Sequence, residues 1–338
     1  MKILYASSSV GLGHITRDYH ISNFIKSKIY WLTSGNALKF IKDKKENYVE
    51  ISDNLNNLGY YIGSMIKNCR VKINLFNSYK LYKAVKNNAN LIKSYVNFDD
   101  YDLIIADEFW EFMFMDIPKE RSIFITDFTK VSYNTKSYFE RFIIPKLNNG
   151  LRDRIKRKFT LAINLSIWDN DNEFLNLGPS FTSNFNNSIN SEDNYILINI
   201  GGTNAGIVIA EKLKEKLEEK YNVKIIGSDK YFNSNPSDLI RNAEIIISLS
   251  GYGNIIESNV LKKKTIFVYI DNHFEQIENA KIMMNRKGFR VYSCKDVLKI
   301  NILHEIENLK KEKIQPLEIK DSAIKVSEII NNFLNKGK

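Results

Sequence analysis

The chain has 338 residues, 43% hydrophobic and 26% charged. This is the composition of a globular protein too long for one ordinary core, so about two domains are expected. With only 15 Gly and 5 Pro, collagen-like and Pro-rich architectures are excluded. Cys69 and Cys294 are too few for a disulfide framework or a cysteine zinc site, and they fit a reducing compartment. The net charge of +10 suits nucleic acid, anionic lipid or phosphorylated small molecules without choosing among them.

The opening apolar run Lys2–Ala6 turns polar at Ser7-Ser8-Ser9, too early for a signal peptide, and no run is apolar enough to span a membrane. A cytoplasmic protein is expected. Further apolar runs follow at Ile29–Thr33, Leu103–Ala106, Ser122–Thr126 and Leu161–Leu165. A second series comprises Tyr195–Ile200, Val223–Ile226, Glu244–Ser248 and Thr265–Tyr269. They do not alternate with polar residues, which is the pattern of strands buried on both faces of a parallel sheet. Amphipathic stretches such as Ala205–Lys220 and Phe274–Arg286 lie between them as helices. The chain is therefore read as α/β, built from βαβ units.

One pattern occurs twice. The run Lys2–Ala6 leads into Gly11-Leu12-Gly13-His14, and Tyr195–Ile200 leads into Gly201-Gly202-Thr203-Asn204. Strand, Gly-rich turn and helix start form a unit whose unpaired N–H groups suit an anion. Two such starts predict two doubly wound domains, at 1–177 and 194–317. An Asn/Ser-rich linker is read at 178–193, and a final helix in 318–338 is expected to pack back on the first domain. His14 falls where open α/β sheets bind ligands, and its ordinary pKa suits a general base. Thr16 stands where a dinucleotide fingerprint needs its third glycine, which argues against simple NAD binding.

The most informative stretch is Gly251-Tyr252-Gly253-Asn254, with Glu257 one helical turn further on, followed by Gln276 and Asn279 at the next strand-to-helix junction. Paired amides and carboxylates there suit a hydroxyl-rich ligand such as a sugar or ribose. Gly-Leu-Gly-His-x-x-Arg at Gly11–Arg17, the Gly-Gly-Thr turn, Gly251–Glu257 and Gln276-x-x-Asn279-Ala280 occur in this order. Together they resemble the MurG-like, family 28-type glycosyltransferases of the GT-B class, and among these the archaeal-type relatives. The first loop lacks the doubled glycine of the bacterial enzymes, and Tyr252 stands where a small residue is common.

The resemblance implies two Rossmann-like domains facing a central cleft and an inverting reaction that needs no metal. It implies a UDP-sugar donor, with N-acetylglucosamine the first guess. Glu257 would bond the ribose; Gln276 and Asn279 would read the sugar. Gly251, Gly253 and Asn254 would admit the diphosphate, with Gly201, Gly202, Thr203 and Asn204 facing it. Gly11, Gly13 and Arg17 would meet acceptor or phosphate.

Asp107-Glu108-Phe109-Trp110-Glu111 follows the run Leu103–Ala106. A carboxylate there could deprotonate an acceptor hydroxyl or hold His14 in place, so Glu108 and Glu111 join His14 as base candidates. Asp169-Asn170-Asp171 spells a metal-binding triplet of another glycosyltransferase class, but it lies in a polar loop and is discounted. Residues 1–177 carry 26 Lys and Arg against 19 Asp and Glu. Within them, 67–96 holds seven basic residues, no acid and interleaved aromatics, and 151–159 is also basic. Such surfaces suit an anionic membrane, where a polyprenyl-linked acceptor would be met, and no nucleic-acid module is visible. The competing readings are a nonhydrolysing UDP-sugar 2-epimerase and a non-catalytic membrane- or nucleic-acid-binding protein of the same fold.

Overall fold

A computed structural model describes residues 1–72, 74–132, 138–181, 194–202, 204–228, 230–233 and 236–336. Thr203 and positions 182–193 of the expected linker lie outside these. In chain order the strands are β1 (Lys2–Ser7), β2 (Lys28–Leu32), β3 (Ile66–Lys67), β4 (Arg70–Val71), β5 (Leu103–Asp107), β6 (Ser122–Thr126), β7 (Leu161–Asn164), β8 (Leu175–Asn176), β9 (Tyr195–Asn199), β10 (Asn222–Ile226), β11 (Ile245–Leu249), β12 (Thr265–Tyr269) and β13 (Phe289–Ser293). The chain divides into two units. The first comprises Met1–Ile62, Ile73–Phe181 and Lys320–Lys338; the second comprises Gly63–Lys72 and Thr182–Ile319.

The first unit holds a parallel sheet in the order β2-β1-β5-β6-β7-β8. Alternate residues of each strand feed two cores. Ile3, Tyr5, Trp31, Ile105 and Ile125 face one side, where they meet Ile15 and Ile21 of the helix Gly13–Ser22. Leu4, Ala6, Ile104, Ala106 and Phe124 face the other, against Ala89 and Ile92 of the helix Leu75–Tyr95. Each fully buried Ile or Leu contributes about 1.5–3 kcal/mol, which is why these runs are apolar at every position. The closing helix Ala323–Lys336 adds Ala323, Val326, Ile330 and Leu334 to the first of these cores.

The second unit holds a parallel sheet in the order β10-β9-β11-β12-β13. Ile196, Ile198, Ile247 and Val268 pack on Ile209, Ala210 and Leu213 of the helix Ile207–Leu217. Beside it sits a hairpin made by β3 and β4. Its Ile66, Cys69 and Val71 pack against the same core, and Cys69 is disulfide-bonded to Cys294.

This corrects two expectations. Residues 1–177 are not one domain, because Gly63–Lys72 belongs to the second unit. The cysteines are a bonded pair, so they no longer argue for a reducing compartment. The basic stretch 67–96 is divided as well. Lys67, Arg70 and Lys72 belong to the second unit, and the lysines of the helix Leu75–Tyr95 to the first.

Candidate functional site

In the first unit, strand register creates the site. Ser7 pairs with Asp107, and Asp107 with Ile125, so the carboxyl ends of β1, β5 and β6 form one edge. The helix Gly13–Ser22 starts above this edge without a side-chain cap, and space is open around Gly11 and Gly13. Its first turns deliver His14, Arg17 and Asp18 to the carboxylates of Asp107, Glu108 and Asp127.

His14 Nδ1 lies 3.2 Å from Asp107 Oδ1. Arg17 is 2% exposed. Its Nε donates to Asp107 Oδ2 at 2.7 Å, its Nη1 to Asp127 Oδ2 at 2.7 Å, and its Nη2 stands 2.9 Å from His14 Nδ1. Arg17 therefore does not point outward to meet a phosphate, as expected from its sequence position. It is a buried counter-ion that fixes two carboxylates. Asp18 accepts from Tyr5 Oη at 2.9 Å and from Ser7 Oγ at 2.6 Å.

Glu108 has a left-handed backbone, φ +45. This turns its carboxylate back over the edge, where Oε1 accepts from Thr126 Oγ1 and the Asp127 N–H, and Oε2 lies 3.7 Å from His14 Nε2. The imidazole is thus flanked by a carboxylate at each nitrogen. Burial and the Arg17 charge push its pKa down, but Asp107 and Glu108 outweigh them and raise it to about 10. Burial raises Asp107 too, yet Arg17 and His14 prevail and hold its carboxyl well below the usual range. Burial and the neighbouring Asp127 push Glu108 well up.

Glu111 is not part of this cluster. It is buried on the one-turn helix Trp110–Phe114 and accepts from Asn88 Nδ2 at 3.0 Å. Asn88 in turn accepts from the Asn56 N–H, two residues before Leu58, whose N–H donates to Ser9 Oγ in the Gly-rich loop. Burial raises Glu111 to about 7. His14, Glu108 and Asp127 each offer a ligand atom within 4.8 Å of one another, the spacing of a metal site. Asp127, however, already pairs with the Arg17 cation. Asp169 binds Thr129 and Lys130, and Asp171 binds Arg152.

The second unit repeats the construction. The ends of β9, β11 and β12 share an edge through the pairs Ser248–Asn199 and Leu249–Val268. Asn199 Oδ1 accepts from the Gly201 N–H, and Asn199 Nδ2 donates to Asn254 Oδ1, both at 3.0 Å. Gly227, at φ +105, packs backbone to backbone on this turn; a Cβ there would stand 2.3 Å from Gly201 O. Gly202 is partly buried and Asn204 is exposed on the short 3-10 turn that follows.

The helix Tyr252–Val260 starts at Gly251 with no side-chain cap, and nothing lies within 4 Å of a Cβ built at Gly251 or Gly253. Its first N–H groups are therefore left without a side-chain cap, as an anion site requires. Glu257 stands one turn on, partly buried, its carboxylate without a hydrogen-bond or ion-pair partner among the described residues, and burial raises it to about 7. Gln276 Oε1 holds the Ile270 N–H at 3.1 Å, which shapes the loop after β12. Asn279 is buried, and its Oδ1 lacks a partner among the described residues. His273 caps the helix Phe274–Lys281, and burial lowers its pKa to about 4. Unpartnered acceptors at Glu257 and Asn279 beside an open helix start are what a site awaiting hydroxyl donors and an anion presents.

The expectation that a carboxylate of the segment Asp107–Glu111 holds His14 falls on Asp107, and Asp127, after the run Ser122–Thr126, joins it through Arg17. The available signal was position, since each ends or follows a strand of the predicted edge.

Residues 186–333 match the family model of the glycosyltransferase family 28 C-terminal domain. No curated protein matches the chain. Among solved structures, the glycotransferase of kitacinnamycin is similar with TM-score 0.59 at 11% identity, over 99% of this chain and 95% of that one. MurG of Acinetobacter baumannii gives 0.51 at 12%, over 99% of both chains. The calicheamicin glycosyltransferase CalG4 gives 0.53 at 11%, over 99% and 94%. The two parallel sheets with their helices have the GT-B fold of these glycosyltransferases, and the second unit carries most of the match to the family 28 C-terminal domain. The family 28 similarity lies in residues 186–333, and MurG is one of the solved structures that share the fold.

Proposed function

We propose that the protein is an inverting glycosyltransferase that moves a sugar, N-acetylglucosamine as first choice, from a UDP-sugar to a polyprenyl-linked or other glycan acceptor. Its place is the cytoplasmic face of the membrane. The observation that carries the mechanism is the pair of partly exposed His14 and buried Asp107 at the carboxyl edge of β1 and β5. The acceptor hydroxyl attacks the anomeric carbon as UDP departs from the opposite face, and its proton passes to Nε2 of the neutral form of His14, whose share grows as pH rises. Asp107, itself fixed by Arg17, keeps the ring oriented.

In the second unit Glu257 takes the ribose hydroxyls, and Asn279, with Gln276, takes the sugar. The open N–H groups at Gly251–Gly253 and the turn Gly201–Asn204 stabilise the leaving diphosphate. That function needs no divalent metal. The helix Leu75–Tyr95 supports membrane docking: Phe76, Tyr79 and Tyr82 are exposed, and Lys80 Nζ lies 4.2 Å from the Phe76 ring centre. In the second basic stretch, Arg152 and Lys156 pair with Asp171 and Glu173, so it contributes less free charge.

The test is UDP release from a panel of UDP-sugars in EDTA, with and without polyprenyl-lipid extract. Release from one donor only when lipid is present supports the proposal. Release without any acceptor product refutes the lipid assignment, and no donor binding at all refutes the donor. Full activity in both His14→Ala and Glu108→Gln/Glu111→Gln proteins refutes the base.

A further inference from the structure

The hairpin β3–β4 is unusual in its origin. It is a ten-residue excursion, Gly63–Lys72, whose flanking chain on both sides belongs to the other unit. It is also placed with unusual firmness. The Asp271 N–H donates to Cys69 O at 3.0 Å, and the Val71 N–H donates to Asp271 O at 2.8 Å, so the hairpin extends the end of β12 as a short bridge. The Cys69 sulfur is bonded to Cys294, the first residue after β13. Cys294 in turn donates its N–H to Tyr269 O, the last residue of β12, and Lys295 Nζ pairs with Asp271 at 3.0 Å.

All of these contacts converge on one short loop. Ile270 and Asp271 lead directly into Asn272, which is left-handed at φ +65, then into the His273 cap and Gln276. Gln276 closes the loop by accepting the Ile270 N–H. A residue held in the left-handed region outside glycine persists when its surroundings fix it. Here the surroundings are the hairpin on one side and the helix Phe274–Lys281 on the other.

We propose that the hairpin Ile66–Val71 is a positioning element of the donor site, held there by the Cys69–Cys294 bond, and that it sets the loop 270–276 for the sugar. Cys69, Val71 and Cys294 are positioning residues: they act on the loop backbone, and Gln276 and Asn279 act on the donor. The inference rests on the donor assignment made above. Its consequence is selective. Releasing the hairpin weakens donor binding and leaves the His14–Asp107 chemistry in the first unit intact. Because the clamp is a disulfide, donor affinity is also redox-dependent.

The experiment measures UDP-N-acetylglucosamine and UDP binding by calorimetry on the full chain. Four proteins are compared: oxidised, reduced with dithiothreitol, Cys69→Ser/Cys294→Ser, and Val71→Pro, which removes the N–H that Asp271 accepts. Thermal unfolding of each is recorded alongside. The expected result is a Kd and donor KM raised about tenfold in the reduced and double-serine proteins, the scale of one lost hydrogen bond to the donor. The kcat at saturating donor stays within about twofold, and reoxidation restores the affinity of the reduced sample. UDP-N-acetylglucosamine should weaken more than UDP, since the loop reads the sugar. Unchanged donor Kd in both the double-serine and Val71→Pro proteins, folded by their melting transitions, overturns the inference and leaves the glycosyltransferase reading standing. No binding of either nucleotide by the oxidised wild type strikes the donor assignment itself and the inference with it.

Discussion

Glu111→Gln should change how stability depends on pH. Glu111 is 3% exposed, and its carboxyl meets the neutral Asn88 amide and its own backbone N–H, with no cation partner among the described residues. Burial moves its pKa from 4.5 to about 7. The folded protein therefore keeps the proton over a range in which the unfolded chain has released it. Stability is full below pH 4.5 and is lost as pH rises towards 7, because the unfolded state ionises first. At about 1.4 kcal/mol per pH unit, this interval amounts to about 3 kcal/mol by pH 8. Glutamine keeps the acceptor for Asn88 and cannot ionise.

The variant should therefore match wild type near pH 4 and exceed it by about 3 kcal/mol at pH 8. Urea unfolding of both proteins at intervals from pH 4 to 8 reads this directly. Parallel stability curves, with the variant no more stable at pH 8 than at pH 4 relative to wild type, would refute the account of Glu111 as a buried acid held neutral.

Other outcomes follow from the same contacts. Arg17→Met leaves Asp107 and Asp127 buried without their cation and should cost about 3–5 kcal/mol, read as a lowered urea midpoint. Asp107→Asn should reduce turnover by about 10²–10⁴ while calorimetric donor affinity is unchanged; a loss of donor affinity instead would place Asp107 in binding. Because Asp107 and Glu108 hold His14 protonated up to about 10, kcat/KM should rise with pH through the neutral range. Glu108→Gln removes a negative charge facing Nε2 and should move that rise to lower pH; a limb that stays in place or moves up would contradict the flanked-imidazole geometry. Gly227→Ala forces a Cβ onto Gly201 O and should abolish tight UDP binding, together with a fall in melting temperature.

The sheet edges were legible because burial on both faces leaves only apolar residues. Ser122–Thr126 and Thr265–Tyr269 coincide with β6 and β12, and the other predicted runs end within a residue or two of the strands. β13 escaped because Phe-Arg-Val-Tyr-Ser carries an Arg; that side chain pairs with Glu305 and Glu312, which lets a charged residue sit in an edge strand. His14 was legible from its place after a Gly-rich turn. Arg17 was misread because spacing along a helix gives a face but not what the face meets, and Asp107 and Asp127 lie 90 and 110 residues away. The hairpin left no periodic signal, since two-residue strands are too short to show one. The cysteine pair was hidden by its separation of 225 residues, which no local pattern bridges.

That separation has a consequence for biogenesis. At about 5–20 residues per second, a ribosome needs roughly 10–45 s to travel from Cys69 to Cys294. For that time the thiol of Cys69 and the apolar Ile66 and Val71 exist in the nascent chain with their eventual home not yet made. Any oxidant or rival thiol has that window to trap Cys69. A chimera that exchanges only the contiguous C-terminal half with a relative inherits the same orphan permanently, so transplanting this half requires carrying residues 63–72 along with it.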